Sequence, residues 1–178
     1  MALLDIVLYP NDVLATKAKA VDEVNDDVRK LVDDMVQTMY DAPGIGLAAP
    51  QIGLLHRITV IDISGPEEQS DLKVFINPEI VHREGKIVWE EGCLSIPGVY
   101  EKVNRAKKVI VQALDQHGDE FELEAEELLA VALQHEIDHL DGVVFLDHLS
   151  PLKRRMLMKK YRKHLERMAL EAQEEQTK

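Results

Sequence analysis

The stretch at 124–142, EAEELLAVALQHEIDHLDG, limits more than any other what this chain can fold into. Acidic residues crowd its start, Gly142 stands at its end, and neither Gly nor Pro interrupts it, which predicts a single helix. The run LLAVAL in its middle carries no polar break, so most of the circumference of this helix should be buried. Other elements must therefore surround it.

This helix carries the pattern H-E-x-x-H, formed by His135, Glu136 and His139. Residues four apart share one helical face, so both imidazoles can bind a single metal ion. Glu136 is turned about 100° from His135, which lets its carboxylate reach a water molecule near the ion without being a ligand. A pair of hydrogen-bonded core histidines is the alternative interpretation.

Zinc peptidases share this pattern, and they require a further ligand downstream. The metzincin pattern continues to a third histidine, but Phe145 occupies that position here. Other zincins use a downstream carboxylate, for which the candidates are Glu166 and Glu171 in a highly charged terminal segment. A peptidase of that second kind remains an alternative, although the sequence favours it poorly.

Cys93 is the only cysteine, so an internal disulfide is excluded and a reducing cytoplasm is the expected compartment. It lies in EEGCLSIPG, between Gly92 and Pro97, a position that predicts an exposed turn. A cysteine and two histidines would give three ligands and an open fourth position, as in catalytic metal sites. A small buried hydrophobic side chain is the alternative role of Cys93.

A third stretch, GIGLAAPQIG, is rich in small residues that let another backbone approach closely. Gln51 places a neutral amide in this apolar setting, where it could donate a hydrogen bond to a developing oxyanion. A glycine-rich loop with a solvated glutamine is the alternative. A dinucleotide-binding loop is disfavoured because the stretch follows a predicted helix rather than a strand.

The remaining pattern predicts an α+β fold in one domain over 1–178, with antiparallel sheets wrapped around the central HExxH helix. Asn25 can cap a first helix at 25–40, and DQHGD predicts a hairpin turn. The strand candidates are 57–63, 72–77, 80–83, 86–90, 108–114 and 120–123.

The formal net charge is −12, but eight Lys or Arg and one acid lie between Lys153 and Arg167. The acidic body argues against specific DNA binding, whereas a basic C-terminal helix at about 151–172 could dock on an anionic partner. An apolar stripe should pack this helix on the body: Leu157, Tyr161, Leu165 and Met168. The longest uncharged run, 14 residues at 42–55, is too short to span a membrane.

Taken in order, GIGLAAPQIG, EGCLSIPG and QHEIDHLDG resemble the motifs of the peptide deformylases. The resemblance extends over essentially the whole chain, including NDVLATKAKAVDEVN and LSPLKRR, and is to the bacterial form with a helical C-terminus. It implies a metal-dependent hydrolase that removes the N-formyl group from the formylmethionine of newly synthesised proteins and releases formate.

The resemblance also implies roles for individual residues. Glu136 would act as general base and acid, while the Gln51 side chain and the Leu94 backbone N–H would stabilise the oxyanion. The implied metal ligands are Cys93, His135 and His139. The implied substrate-binding residues are Gly44, Ile45, Gly46, Trp89, Glu91, Gly92, Leu128, Val131 and Ala132. We also expect Glu91 to pair with Arg105 and steady the Cys93 turn.

One divalent ion is implied as cofactor, ferrous iron in the cell, although this ligand set would also accept zinc, nickel or cobalt. The implied partners are N-formylmethionyl nascent peptides and, through the basic helix, the ribosome. No membrane partner is expected. A non-catalytic binding module that keeps the fold is a further alternative, and such a module would have no use for Glu136.

Overall fold

The computed structural model describes residues 2–178, which form three α-helices and seven β-strands. The helices are α1 (Asp26–Asp41), α2 (Glu127–Leu140) and α3 (Pro151–Gln176). The strands are β1 (Gly46–Ala48), β2 (Ile58–Ile61), β3 (Lys73–Glu84), β4 (Ile87–Cys93), β5 (Ile96–Arg105), β6 (Lys108–Leu114) and β7 (Glu120–Glu126).

All strand pairs are antiparallel and fall into two sheets. Five strands form one sheet in the order β1-β2-β3-β6-β7, while β4 and β5 form a separate hairpin. Helix α2 packs against β1, β2, β6 and β7, and its side chains Ala130, Leu133 and Ile137 share a core with Phe75 and Val111 of the larger sheet. The α+β prediction with antiparallel sheets around the HExxH helix is confirmed.

The first helix and the β6–β7 hairpin also follow the prediction. The Asn25 side chain accepts a hydrogen bond from the Val28 N–H and so satisfies a free donor at the start of α1. The start of α2, however, was predicted three residues too early. Glu124 pairs with Ile110, and Glu126 pairs with Lys108, at the end of strand β7. The helix begins only at Glu127.

Strand β3 is continuous, whereas the sequence predicted two strands around Asn77 and Pro78. A shift in the pairing of β3 with β6 between Ile76 and Glu79 absorbs the irregularity. Asn77 adopts a left-handed backbone with φ of 52°, and its side chain bonds the backbone N–H and C=O of Val21. An asparagine tolerates this conformation, so the chain bends without leaving the sheet.

The turn after Cys93 is covered rather than exposed, which contradicts the prediction. It consists of Leu94 and Ser95, and Ser95 is fully buried beneath the N-terminal segment, whose Tyr9 N–H donates to the Ser95 carbonyl at 2.8 Å. Pro97 lies within β5, which pairs only with β4, so one edge of that strand needs no backbone donor.

Helix α3 is anchored on β5 by one side and otherwise projects into solvent. Ser150 caps it by accepting from the Lys153 N–H, and Leu157 and Tyr161 are buried. The predicted stripe ends earlier than expected, because Met168 is 41% exposed. None of the helices within residues 2–178 combines the length and apolar character that crossing a membrane requires.

Candidate metal centre

The end of β4 brings the only cysteine to the face of α2 that carries the two histidines. The ligand atoms of Cys93, His135 and His139 all lie within 4.8 Å of one another. Cys93 Sγ is 3.4 Å from His139 Nε2. Three donors of this type at this spacing match a metal site that leaves one position open.

The electrostatics of the two imidazoles suit a cation at this point. Burial lowers the pKa of His139 well below its ordinary value, which keeps the ring neutral and able to act as a ligand. Burial would also lower the pKa of His135, but Cys93 and Glu91 outweigh it and raise that pKa well above the ordinary value. Groups that favour a proton here equally favour a metal ion.

His135 is oriented by a carboxylate behind it. Its Nδ1 lies 2.8 Å from Glu91 Oε1, and because an ionised carboxylate only accepts, Nδ1–H is the donor. The other ring nitrogen, Nε2, then keeps its lone pair for an ion. Such a carboxylate–histidine pair fixes the tautomer and the ring orientation of a metal ligand.

Arg105 holds this carboxylate in turn, which confirms the expected pair of Glu91 and Arg105. The guanidinium donates two hydrogen bonds of 2.8 Å to Glu91 and one of 2.6 Å to Asp138. His148 Nε2 lies 2.8 Å from the same Asp138 oxygen. Asp138 and His148 were not predicted from the sequence; the only signal was the place of Asp138 on the buried helix, three residues after His135.

Glu91→Gln should weaken metal binding about 10- to 100-fold, the usual effect of losing a group that orients a ligand. Both Glu91 oxygens accept hydrogen bonds from Arg105 or His135. The NH2 group of the glutamine side chain would therefore face an N–H donor instead of accepting from it. Competition with a chelator would measure the affinity. Glu90→Gln, a change at the exposed neighbouring position, is the matched control and should bind metal like the wild type.

Glu136 is 5% exposed and follows His135 directly on α2. Burial raises the pKa of its carboxyl to about 7. Among residues 2–178, Glu136 Oε2 has no hydrogen-bond partner. Its other oxygen faces Gly46, where an added Cβ would lie only 2.7 Å away, so the glycine makes room for the carboxylate.

Gln51 is fixed so that its amide N–H points toward the site. Its Oε1 accepts from the Ala48 N–H at 2.9 Å. Its Nε2 lies 3.2 Å from Ser95 Oγ and 3.5 Å from Cys93 Sγ. The predicted solvent-exposed alternative for Gln51 is therefore wrong, since the side chain is buried and directed at the metal site.

A cavity of about 370 Å³ opens directly onto these groups. Gly44 does not line it; its backbone packs against the Leu94 side chain instead. The other predicted substrate-binding residues all line it: Ile45, Gly46, Trp89, Glu91, Gly92, Leu128, Val131 and Ala132. Two aromatic residues, Trp89 and Tyr100, lie along its β4–β5 side.

An α+β fold with an open Cys/His/His site beside a buried glutamate defines a metallohydrolase. The sequence profile described as polypeptide deformylase matches residues 3–155. The chain belongs to the peptide deformylase family, and its activity is the removal of N-formyl groups.

Individual relatives agree with this assignment. A peptide deformylase of Thermodesulfovibrio yellowstonii is 54% identical over 162 residues, which cover 91% of this chain and 98% of that protein. Another, from Hydrogenovibrio crunogenus, is 52% identical over 169 residues, covering 95% and 99%. The resemblance seen in the three motifs therefore extends through the whole fold.

Solved structures give the same result. The crystal structure of a peptide deformylase from Legionella pneumophila matches with a TM-score of 0.89 and 49% identity, covering 94% of this chain and 98% of that one. The enzyme from Synechococcus elongatus, solved in complex with actinonin, matches with a TM-score of 0.85 and 43% identity, covering 88% and 86%.

Proposed function

We propose that this chain removes the formyl group from N-formylmethionyl nascent peptides, with Cys93, His135 and His139 holding the metal ion and Glu136 moving the protons. The observation that carries the proposal is the cluster of three ligand atoms within 4.8 Å of one another, with the Gln51 amide 3.5 Å from the Cys93 sulfur. Gln51, Cys93, His135 and Glu136 line a single cavity. A divalent ion held there would acidify a water molecule and polarise the formyl oxygen.

The substrate would enter beside β1, the terminal strand of the larger sheet. Ile45 and Gly46 line the cavity and lie at an edge where an extended peptide can add as a further strand. The methionine side chain would lie against the α2 face formed by Leu128, Val131 and Ala132, at helical spacings of three and four. The formyl group then faces the metal ligands.

Proton transfer by Glu136 links the two halves of the reaction. Its carboxylate takes a proton as the oxygen of water bonds to the formyl carbon. The Gln51 amide and the Leu94 N–H donate to the formyl oxygen as negative charge grows on it. When the carbon–nitrogen bond breaks, Glu136 returns the proton to the departing nitrogen, which gives formate and a free amine.

The direct test is formate release from formyl-Met-Ala-Ser by protein purified without oxygen and analysed for metal. We expect one equivalent of formate for each peptide consumed, together with about one metal ion per chain. The N-acetyl peptide of the same sequence is the control, since its larger acyl group must fit beside Glu136 and Gly46. Cleavage of internal peptide bonds without formate release would contradict the proposal and favour a peptidase.

We propose ferrous iron as the ion in the cell, although the Cys/His/His set also accepts zinc, nickel and cobalt. Peroxide should inactivate the iron-loaded protein several times faster than the zinc-loaded protein, because ferrous iron reacts beside the Cys93 thiolate and zinc is redox-inert. Residual formate release after timed peroxide exposure measures both rates. Equal rates in the two forms would contradict this prediction.

We also propose that α3 docks on the ribosome in the cytoplasm, where formylated chains emerge. Seven of its eight basic residues between Lys153 and Arg167 are exposed, while Arg154 is half-buried and pairs with Asp147. The buried side of the helix, Leu157 and Tyr161, holds it on the body. A basic face presented in this way suits the phosphates of ribosomal RNA.

Reversing the charge of Lys159, Lys160 and Lys163 to Glu should release the protein from sedimenting ribosomes and flatten the salt dependence of binding. Each lost phosphate contact should reduce the slope of log affinity against log salt by roughly one. Lys17, Lys30 and Lys86 are exposed lysines elsewhere, and their combined change to Glu controls for net charge. Equal loss of binding in both triple variants would exclude a specific role of α3.

A further inference from the structure

Asp62 is a buried carboxylate just beyond the end of β2, and it takes no part in the chemistry described above. It is 4% exposed and, within the described range 2–178, is not among the residues that line the catalytic cavity. Burying a carboxylate is costly unless hydrogen bonds compensate for the lost water. The partners of Asp62 therefore indicate what it holds in place.

Hydroxyl and backbone donors surround this carboxylate. Its Oδ2 accepts from the Tyr40 hydroxyl at 2.6 Å and from the Ser70 hydroxyl at 2.8 Å. Its Oδ1 accepts from the Ser64 N–H at 2.9 Å and also from the Ser64 hydroxyl. Burial would raise the pKa of Asp62, but these hydrogen bonds outweigh it and lower that pKa well below its ordinary value. The ionised side chain is thus fixed between the end of α1 and the loop that follows β2.

The backbone of Asp62 is joined to the strand that borders the cavity. Its N–H donates to the Ile45 carbonyl at 2.9 Å, which extends the pairing of Gly46 with Ile61 by one residue. A trans peptide unit is planar, and its C=O and N–H point in opposite directions. Because the Ile45 carbonyl points toward β2, the Gly46 N–H of the same peptide unit points away from β2, to the free edge of the sheet.

Asp62 therefore holds both ends of the short segment 41–45, which leads from α1 into β1. Its carboxylate binds Tyr40 just before this segment, and its N–H binds Ile45 at the end of it. Ile45 and Gly46 both line the catalytic cavity. A residue outside the cavity thus fixes the direction of a peptide unit that borders it.

We propose that Asp62 is a positioning residue, which holds the Ile45–Gly46 peptide unit so that the Gly46 N–H is aimed at the backbone of a bound peptide. This inference rests on the proposed function, because it requires a substrate that adds to β1 as a further strand. A hydrogen bond changes an equilibrium constant by about 2- to 10-fold. The effect of Asp62 should fall on binding of the peptide backbone and not on the reacting formyl group.

The test compares metal-loaded wild type with Asp62→Ala on formyl-methionine amide and on formyl-Met-Ala-Ser. The longer substrate offers more peptide groups to β1, so we expect wild type to use it with about 10-fold higher kcat/KM or more. Asp62→Ala should reduce this gain about 5-fold or more by raising KM for the tripeptide, with kcat changed by less than about 2-fold. Asp71→Ala, which removes a side chain paired with Lys73, is the matched control and should keep the full gain.

A second variant keeps the test decisive if Asp62→Ala does not fold. Tyr40→Phe removes one hydroxyl donor from the carboxylate and should reduce the gain about 3-fold. An equal loss of kcat/KM on both substrates in Asp62→Ala would mean a purely structural role and would overturn the inference. So would an undiminished gain in Tyr40→Phe if only that variant folds. Failure of the wild type to release formate from either substrate would instead overturn the proposed function.

Discussion

Replacing Cys93 with Ala is expected to remove the metal ion and to lower kcat/KM for formate release by about 1,000-fold or more. The two remaining imidazoles supply too few donors for a tight site, and the stabilisation of transition-state charge by the ion, worth several kcal/mol, is lost with it. Metal content per folded chain and formate release from formyl-Met-Ala-Ser measure the two effects.

Folding must be checked separately, because Cys93 also packs at the margin of the core that contains Ile96 and Phe145. Cys93→Ser keeps the volume nearly unchanged and should also lose the ion, while circular dichroism should show a native fold. A Cys93→Ala protein that kept its metal and hydrolysed internal peptide bonds would identify a zincin-type peptidase with a different third ligand.

Glu136→Gln is expected to lower kcat by roughly 100- to 10,000-fold while leaving metal content unchanged, because general acid–base catalysis contributes about this much. The amide keeps the shape of the carboxylate beside Gly46 but cannot accept a proton. Glu127→Gln, an exposed change at the start of the same helix, is the matched control. Unaltered biological function of Glu136→Gln in cells would favour a non-catalytic binding module.

The pH profile of kcat/KM tests the role of Glu136 as the base independently. The base must be ionised to accept a proton, so activity should fall as the pH drops through the pKa of Glu136. Burial raises that pKa to about 7, and a bound cation lowers it, so the acid limb should lie at or below pH 7. The residual activity of Glu136→Gln should lack this limb.

Elements whose formation is decided by neighbouring residues were predictable from the sequence. Helix α1 has a capping Asn25 and an apolar face, and the β6–β7 hairpin has a turn sequence between two apolar runs. The histidine pair followed from its spacing on α2. In these cases the deciding interaction lies within a few residues along the chain, so the sequence displays it directly. Cys93 lies 42 residues before His135, and only the resemblance to the peptide deformylases joined it to the histidines.

Features that depend on distant partners were not predictable. The turn after Cys93 is buried because the N-terminal segment covers it, and Glu124 and Glu126 stay in β7 because β6 supplies their backbone partners. The extension of the Glu91–Arg105 pair to Asp138 and His148 joins β4, β5, α2 and a short 3-10 helix (Phe145–His148). No local periodicity in the sequence predicts such a network.

The position of β1 at the edge of the larger sheet has a consequence for the breadth of substrates. Peptide groups are identical in every polypeptide. An enzyme that binds its substrate through them is therefore not selective for the residues that follow the first. With a substrate bound along β1 as proposed above, selectivity would be confined to the cavity beside α2, which would sample a single side chain. One such enzyme could then process the entire output of new proteins of a cell, whatever each gene encodes downstream of its start.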